Sequence, residues 1–392
     1  MGVLSGLDVL RNEGFRPLRG KRVGVLCHQA SVARDFRHIT DVFFQAHEEK
    51  LIELVAFFGP QHGIWGETQD NMIEWEGGLD ARTGIPIHSL YGRHRRPTPE
   101  MLQGVEVLVV DLQDVGSRYY TFIWTLALCL DACGEAGVEM MVLDRPNPIG
   151  GERVEGCVLE ESFRSFVGWH PLPIRHGMTI GEVARYLQAR FYPRCPLTII
   201  PLEGWSRSMY YEETQLPWIP PSPNMPLIET ALVYSGTCLL EGTNLSEGRG
   251  TTRPFETLGA PWIDGWQLAD ALNGMGLAGV HFRPVIFQPT FHKYAGQRCG
   301  GVFIHVVDRE KFASFLSGLA VLREVIRLYP DRFHWRPPPY EYEQEKLPFD
   351  ILVGNDWIRP WLEAGRSLQE IDARCQQQWR AFEPLRAQAL LY

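Results

Sequence analysis

The stretch GPQHGIWGETQDNMIEWEGG (59–78) follows an apolar run, Leu54 to Phe58. It carries one imidazole, His62, four carboxylates, Glu67, Asp70, Glu74 and Glu76, and two indoles, Trp65 and Trp75. A plain connecting loop needs neither the acid nor the indoles. Two chemistries use such a set. Asp and Glu oxygens can hold a hard cation such as magnesium or calcium, or paired carboxylates can act as acid and base on a glycosidic bond. The aromatic residues favour the sugar, whose apolar ring faces pack on indoles; Tyr119, Tyr120 and Trp124 also lie near acids in sequence. For Trp124 a plainer reading is stronger. Tyr120, Trp124 and Leu128 recur at i, i+4 and i+8, the spacing of a helix's core stripe.

Apolar runs at 22–27, 51–58, 105–112, 138–144 and 197–202 alternate with helix candidates at 35–49, 99–104, 118–136 and 179–191. The runs are nearly continuous in apolar character, which predicts strands covered on both faces and hence a parallel sheet. The alternation predicts a doubly wound α/β domain. LPWIPPSPNMP (216–226) is too rich in proline for a helix or central strand. The domain boundary is therefore expected near it, with a first domain over 1–212 and a smaller α/β or α+β domain over 213–392. The second contains a glycine-rich stretch (243–256), a helix near 265–275, a strand at 301–307, a long helix at 310–328, the proline segment RPPPYEYEQEKLP and a last helix.

Ligands of open parallel sheets bind beyond the strands' carboxyl ends, so the residues that follow each strand are the candidates. They are His62 and Glu67 after the second strand, Asp111, Asp114 and Arg118 after the third, and Asp144, Arg145 and Asn147 after the fourth. His176 precedes a helix, Asn224 lies in the proline segment, and Glu241, Glu247, Arg249 and Arg253 belong to the second domain. Each has a structural alternative. Asp111 and Asp114 can cap their own turn, Asp144 and Arg145 can pair within a proline-fixed loop, and His62 and His176 can serve loop packing. Arg118 opens a helix, where a cation is disfavoured by the dipole, so it needs a partner, either Asp111 or a substrate anion.

Composition excludes several classes. With 392 residues, 45% hydrophobic and 22% charged, the chain can bury a sizeable core. A net charge of −9 and no basic run longer than 93–96 argue against nucleic acid. The longest mostly apolar run, 119–130, is too short to span a bilayer, and the first residues show no secretory pattern; a cytoplasmic protein is expected. The eight cysteines form no CxxC and are expected as reduced, buried thiols. The chain has no G-x-G-x-x-G after its first strand, no P-loop and no G-x-S-x-G, so a dinucleotide, an NTP or a serine nucleophile is disfavoured. No cofactor or resident metal is expected.

The blocks GPxHG, Ser89 to Gly92, DLQDVGSRYYTF (111–122), LDRPNPIGG (143–151), HGMTIGE (176–182), PSPNMP (221–226) and EGTNLSEGRGTTRPFE (241–256) run in order over nearly the whole chain. In these the sequence resembles the NamZ-like exo-β-N-acetylmuramidase family. The resemblance implies a Rossmann-like first domain, a smaller second domain and a cleft between them. It implies release of N-acetylmuramic acid from the non-reducing end of peptidoglycan fragments, and, in a cytoplasmic member, recycling of muropeptide sugars. The family commonly reads Pro-Glu-His-Gly, with that Glu favoured as catalytic; here the position is Gln61, whose amide has no proton to exchange near neutral pH. The expected replacement acid is Glu67. Gln61 or Asp111 would orient the substrate's acetamido group, which can itself act as nucleophile. His62 would hydrogen-bond in the cleft, and Arg118, Arg249 or Arg253 would clamp the lactyl carboxylate. The alternatives are a non-catalytic saccharide-binding protein and a metal-dependent hydrolase built on Asp111, Asp114 and Asp144.

Overall fold

The computed structural model describes residues 2–70 and 72–392; of the stretch that opened the argument, Asn71 lies outside the described residues. The first domain contains α1 (Gly6–Asn12), β1 (Arg22–Cys27), α2 (Ile39–Glu48), β2 (Glu53–Gly59), β3 (Gly78–Leu79), β4 (Pro86–Ser89), β5 (Val107–Asp111), α3 (Phe122–Ala136), β6 (Glu139–Leu143), β7 (Glu155–Val158), β8 (Pro173–Arg175), α4 (Ile180–Phe191) and β9 (Leu197–Ile200). Seven strands form one sheet in the order β3-β4-β2-β1-β5-β6-β9. All neighbours are parallel except the β3–β4 edge pair. β5 is buried along its whole length, as its unbroken Val-Leu-Val-Val run predicts for a strand covered on both faces. The chain leaves β1 toward β2 on one side and later returns to β5 on the other. At that reversal the connections diverge and open a crevice at the strands' carboxyl ends.

The second half contains α5 (Ile228–Thr237), β10 (Thr257–Ala260), α6 (Gly265–Gly274), β11 (Val280–Phe287), β12 (Cys299–Val306), α7 (Ser314–Leu328), α8 (Pro348–Val353), α9 (Ile358–Glu363) and α10 (Leu368–Ala389). Its three strands form an antiparallel sheet, β10-β12-β11, so this half is α+β. One hydrophobic cluster runs without a break from Trp124 and Tyr119 of the first half to Leu239, Phe255 and Phe349 of the second. The long α10 then returns to the first half and packs on α4 and β7.

Two expectations need correction. The run 99–104 forms turns rather than a helix; so few residues gain too few hydrogen bonds to repay nucleation. And the cysteines are not all free thiols. Cys157 of β7 is disulfide-bonded to Cys375 of α10, while the other six are free and buried. The two are separated by 218 residues, so no local spacing pattern could have marked them.

Candidate active site

The cleft lies between the halves, at the carboxyl ends of β2 and β5. Gln61, His62, Tyr120 and Thr121 line it from the first half and Asn224, Glu241, Arg249, Tyr340 and Glu341 from the second. On the first side, the chain leaves β2 and turns sharply at His62 and Gly63, both with positive φ (71° and 81°). The turn holds the His62 ring inside, with Nδ1 2.8 Å from the carbonyl oxygen of Thr68. Burial pulls the imidazole down to about 4, so at neutral pH the ring is uncharged. Nδ1–H then donates to Thr68 and Nε2 is left as an acceptor. Gln61 Oε1 accepts from the Thr121 hydroxyl at 2.6 Å, which turns the amide nitrogen toward Glu341.

The second side is a buried ion cluster. Arg249 Nη2 lies 2.6 Å from Glu241 Oε1, and Tyr340 donates to Glu241 Oε2 at 2.6 Å. Glu247 faces Arg249, Lys293 and His292 at 3.3, 2.9 and 3.1 Å. Burial raises the Glu247 carboxyl, but Lys293, His292 and Arg249 together hold it well below the usual carboxylate range. The turn that separates Glu247 from Arg249 needs Gly248: its φ is 80°, and a Cβ there would lie 2.3 Å from the carbonyl oxygen of Thr257. Asp70 approaches Arg249 at 4.0 Å from the first side. Asn224 donates to the carbonyl of Gln69 at 2.8 Å, which ties the proline segment to the same loop.

Glu341 is the residue that sequence reasoning missed. It occupies a two-residue turn closed by Tyr340 N–H to Glu343 C=O (3.0 Å) and the reciprocal bond (2.9 Å). Both central residues, Glu341 and Tyr342, have positive φ, 44° and 69°. The turn is clamped onto the first half. Tyr91 donates to Glu341 Oε2 at 2.9 Å, Tyr342 donates to Glu74 at 3.1 Å, and Tyr342 packs edge-on against Tyr91 and Phe166 under Arg95. Burial is the main cause that raises the Glu341 carboxyl to about 7; the hydrogen bonds from Tyr91 and Gln61 pull the other way.

The other expected residues divide into those the fold brings to the cleft and those it does not. Gln61, His62, Asn224, Glu241 and Arg249 line it, and Glu247 stands directly behind Arg249. Glu67 does not: the chain reversal at His62–Gly63 leaves it exposed, with its carboxyl over Gly63. Asp111 and Arg145 form a buried two-point ion pair beneath the sheet edge, and Arg145 also donates to the carbonyl of Val32. Asp144 accepts from Gly181 N–H, the Thr179 hydroxyl and the Tyr392 hydroxyl at 2.7, 2.8 and 2.7 Å, so it anchors the start of α4 to the C-terminus. Asn147 bonds within its loop and to the carbonyl of Met178. Asp114 pairs with His176 at 3.2 Å, buried below the cleft floor. Arg118 is completely buried and donates to the carbonyls of Cys157, Leu172 and Leu352. Its partner is thus three peptide groups, neither Asp111 nor a surface open to a ligand. Arg253 pairs with Glu256 and is partly exposed beside β12. Asp111, Asp114 and Asp144 therefore engage separate partners, and among the described residues no group of three or more His, Cys, Asp or Glu is placed to hold a metal ion. Trp124 is core, as its spacing predicts, with its indole N–H on the carbonyl of Arg118.

A doubly wound sheet domain, an α+β domain and an acid-lined, aromatic-walled cleft between them define a class: two-domain proteins that present carboxylates and phenols to a polar ligand. The chain belongs to the exo-β-N-acetylmuramidase NamZ family. Residues 23–229 match its N-terminal and residues 232–392 its C-terminal domain. The chain is 42% identical over 392 residues to the peptidoglycan β-N-acetylmuramidase NamZ of Bacillus subtilis (strain 168), covering 100% of this chain and 91% of that protein. Among solved structures it resembles two DUF1343 family proteins of Bacteroides fragilis NCTC 9343. One has a TM-score of 0.90 at 34% identity and the other 0.78 at 28%; both comparisons cover 100% of this chain and 99% of the other.

Proposed function

We propose that this protein is an exo-acting glycosidase that releases N-acetylmuramic acid from the non-reducing end of peptidoglycan fragments. The observation that carries the reading is full-length membership of the muramidase family, with the matched halves meeting at the carboxylate-lined cleft. The cleft's charge pattern fits the substrate. Arg249 is the cation on its wall, with a guanidinium suited to the fork of a lactyl carboxylate, although Glu241 and Glu247 already neutralise part of it. The phenols of Tyr119, Tyr120 and Tyr340 offer the aromatic edge that a sugar ring meets.

The test is product release from a chromogenic N-acetylmuramic acid β-glycoside, with the N-acetylglucosamine glycoside alongside. The muramic compound alone is expected to be cleaved. Cleavage of the glucosamine compound at the same rate would refute the lactyl reading, and binding of both without release would favour a saccharide-binding protein. As to setting, no helix among the described residues is long and apolar enough to cross a membrane. Recycling of muropeptide sugars in the cytoplasm agrees with the six free thiols, whereas the Cys157–Cys375 bond fits an oxidising compartment better.

A further inference from the structure

We propose that Glu341 is the general acid of this cleft, delivering the proton to the glycosidic oxygen that Gln61 has no proton to give. The proposal rests on the muramidase reading, and three observations support it. First, the carboxyls on and directly behind the cleft wall differ in kind. Glu241 is ion-paired with Arg249, and Glu247 faces Arg249, Lys293 and His292, which hold its carboxyl in the ionised form. Glu341 meets two neutral donors, the Tyr91 phenol at 2.9 Å and the Gln61 amide, and among the described residues no ion pair reaches it. Second, the backbone is strained to put it there. A two-residue turn with positive φ at both positions suits Asn and Gly, yet Glu341 and Tyr342 occupy it. Residues held in such sparsely populated backbone conformations cluster at functional sites, where the surrounding structure must over-determine them. Third, the turn comes from the second half and places the carboxyl against Gln61 of the first.

The protonation state agrees with this geometry. The Glu341 carboxyl is raised to about 7, by burial first and also by Glu241, against the lowering effects of Tyr91, Gln61 and Arg249. Tyr340 and Tyr342 beside it are phenols whose own values are raised, and so are uncharged at neutral pH. An acid with a value near the working pH transfers protons most effectively. In the step itself the Glu341 proton passes to the glycosidic oxygen. The C1–O bond breaks with its electron pair going to that oxygen. C1 receives a new pair from water, directly or after capture by the substrate's acetamido oxygen, and the proton that water releases resets the carboxylate through solvent.

The test compares two leaving groups. A sugar hydroxyl leaves only with a proton, whereas 2,4-dinitrophenolate leaves without one. Glu341→Gln is expected to lose about 10²- to 10⁴-fold on a muramic acid–glucosamine disaccharide and only a few-fold on the dinitrophenyl muramic glycoside. A merely structural role would reduce both rates equally, and that result, or no loss on either, overturns the proposal. Tyr91→Phe gives a second reading that leaves Glu341 in place. Activity that needs the protonated acid is present below about pH 7 and lost as pH rises through it. Removing the phenol donor raises the carboxyl further, so the basic limb of kcat/KM must move to higher pH; an unmoved limb also overturns the proposal. If the wild-type protein releases nothing from either glycoside, the muramidase reading itself fails and the role of Glu341 falls with it.

Discussion

Gln61 and Glu341 face each other across the domain boundary with opposite capacities: an amide that can only orient, and a carboxyl that can hold a proton near neutral pH. If position rather than ancestry decides which of the two is the acid, the role can be moved. In the Glu341→Gln background, Gln61→Glu is expected to restore hydrolysis of a sugar leaving group at least ten-fold, because the new carboxyl would accept from Thr121 in the same buried setting. No recovery in steady-state rates would mean that only the turn of the second half can aim an acid correctly. The sequence pointed to His62 because it follows a strand and to Gln61 because it departs from the family pattern, whereas Glu67 was chosen as the acid nearest along the chain. Nearness along the chain says nothing about a reversal that turns one side chain inward and its neighbour out. Glu341 was invisible for the converse reason. It sits among Glu343, Glu345 and Lys346 after three prolines, a composition that reads as a solvated linker. Only tertiary contact with Tyr91 and Gln61 makes it buried.

At the scale of elements, the strand ends hold more structural polar groups than catalytic ones. Asp111 terminates β5 and reaches Arg145 after β6, so the pair ties two neighbouring strand ends together beneath the crevice. Removing one partner of such a pair leaves a buried charge unanswered, which typically costs about 3–5 kcal/mol. Asp111→Asn is therefore expected to lower the thermal midpoint by several degrees while leaving the pH profile of the remaining activity unmoved; melting curves and pH–rate profiles on the same preparation check both halves. A normal melting curve with lost turnover would return Asp111 to the catalytic set. These elements were the most legible part of the molecule. Continuous apolar runs identified five of the parallel strands to within two residues but not the short β4, which pairs in parallel with β2; Thr179 with Glu182 marked the start of α4, where both halves of the capping box are present. What could not be read was which of the polar groups beyond the strands face the crevice. Arg118 and Asp144 have the residue types of a site, yet their partners come from segments far along the chain, Leu352 and Tyr392.

Across the whole molecule, the second half closes the cleft and also encircles the first. α10 crosses back to β7, where Cys375 meets Cys157. Arg386 then donates to the carbonyl of Gly151, and Tyr392 to Asp144. A link of this kind restrains the return helix against β7. Six thiols are expected to react under denaturing, non-reducing conditions and eight after reduction; eight in both states would show that the bond does not form where the protein is made. A boundary between residues 212 and 213 remains our proposal for the domains. Two-domain architecture was legible from length and the proline segment, whereas the shared core and the returning helix depend on contacts hundreds of residues apart. The central claim, a cleft that removes muramic acid from the non-reducing end, is tested most directly by incubating the protein with the two β-linked disaccharides of the glycan in opposite order and identifying the products by mass. Muramic acid followed by glucosamine is expected to yield both monosaccharides, and glucosamine followed by muramic acid to stay intact. Cleavage of the second, or of neither, would contradict the account.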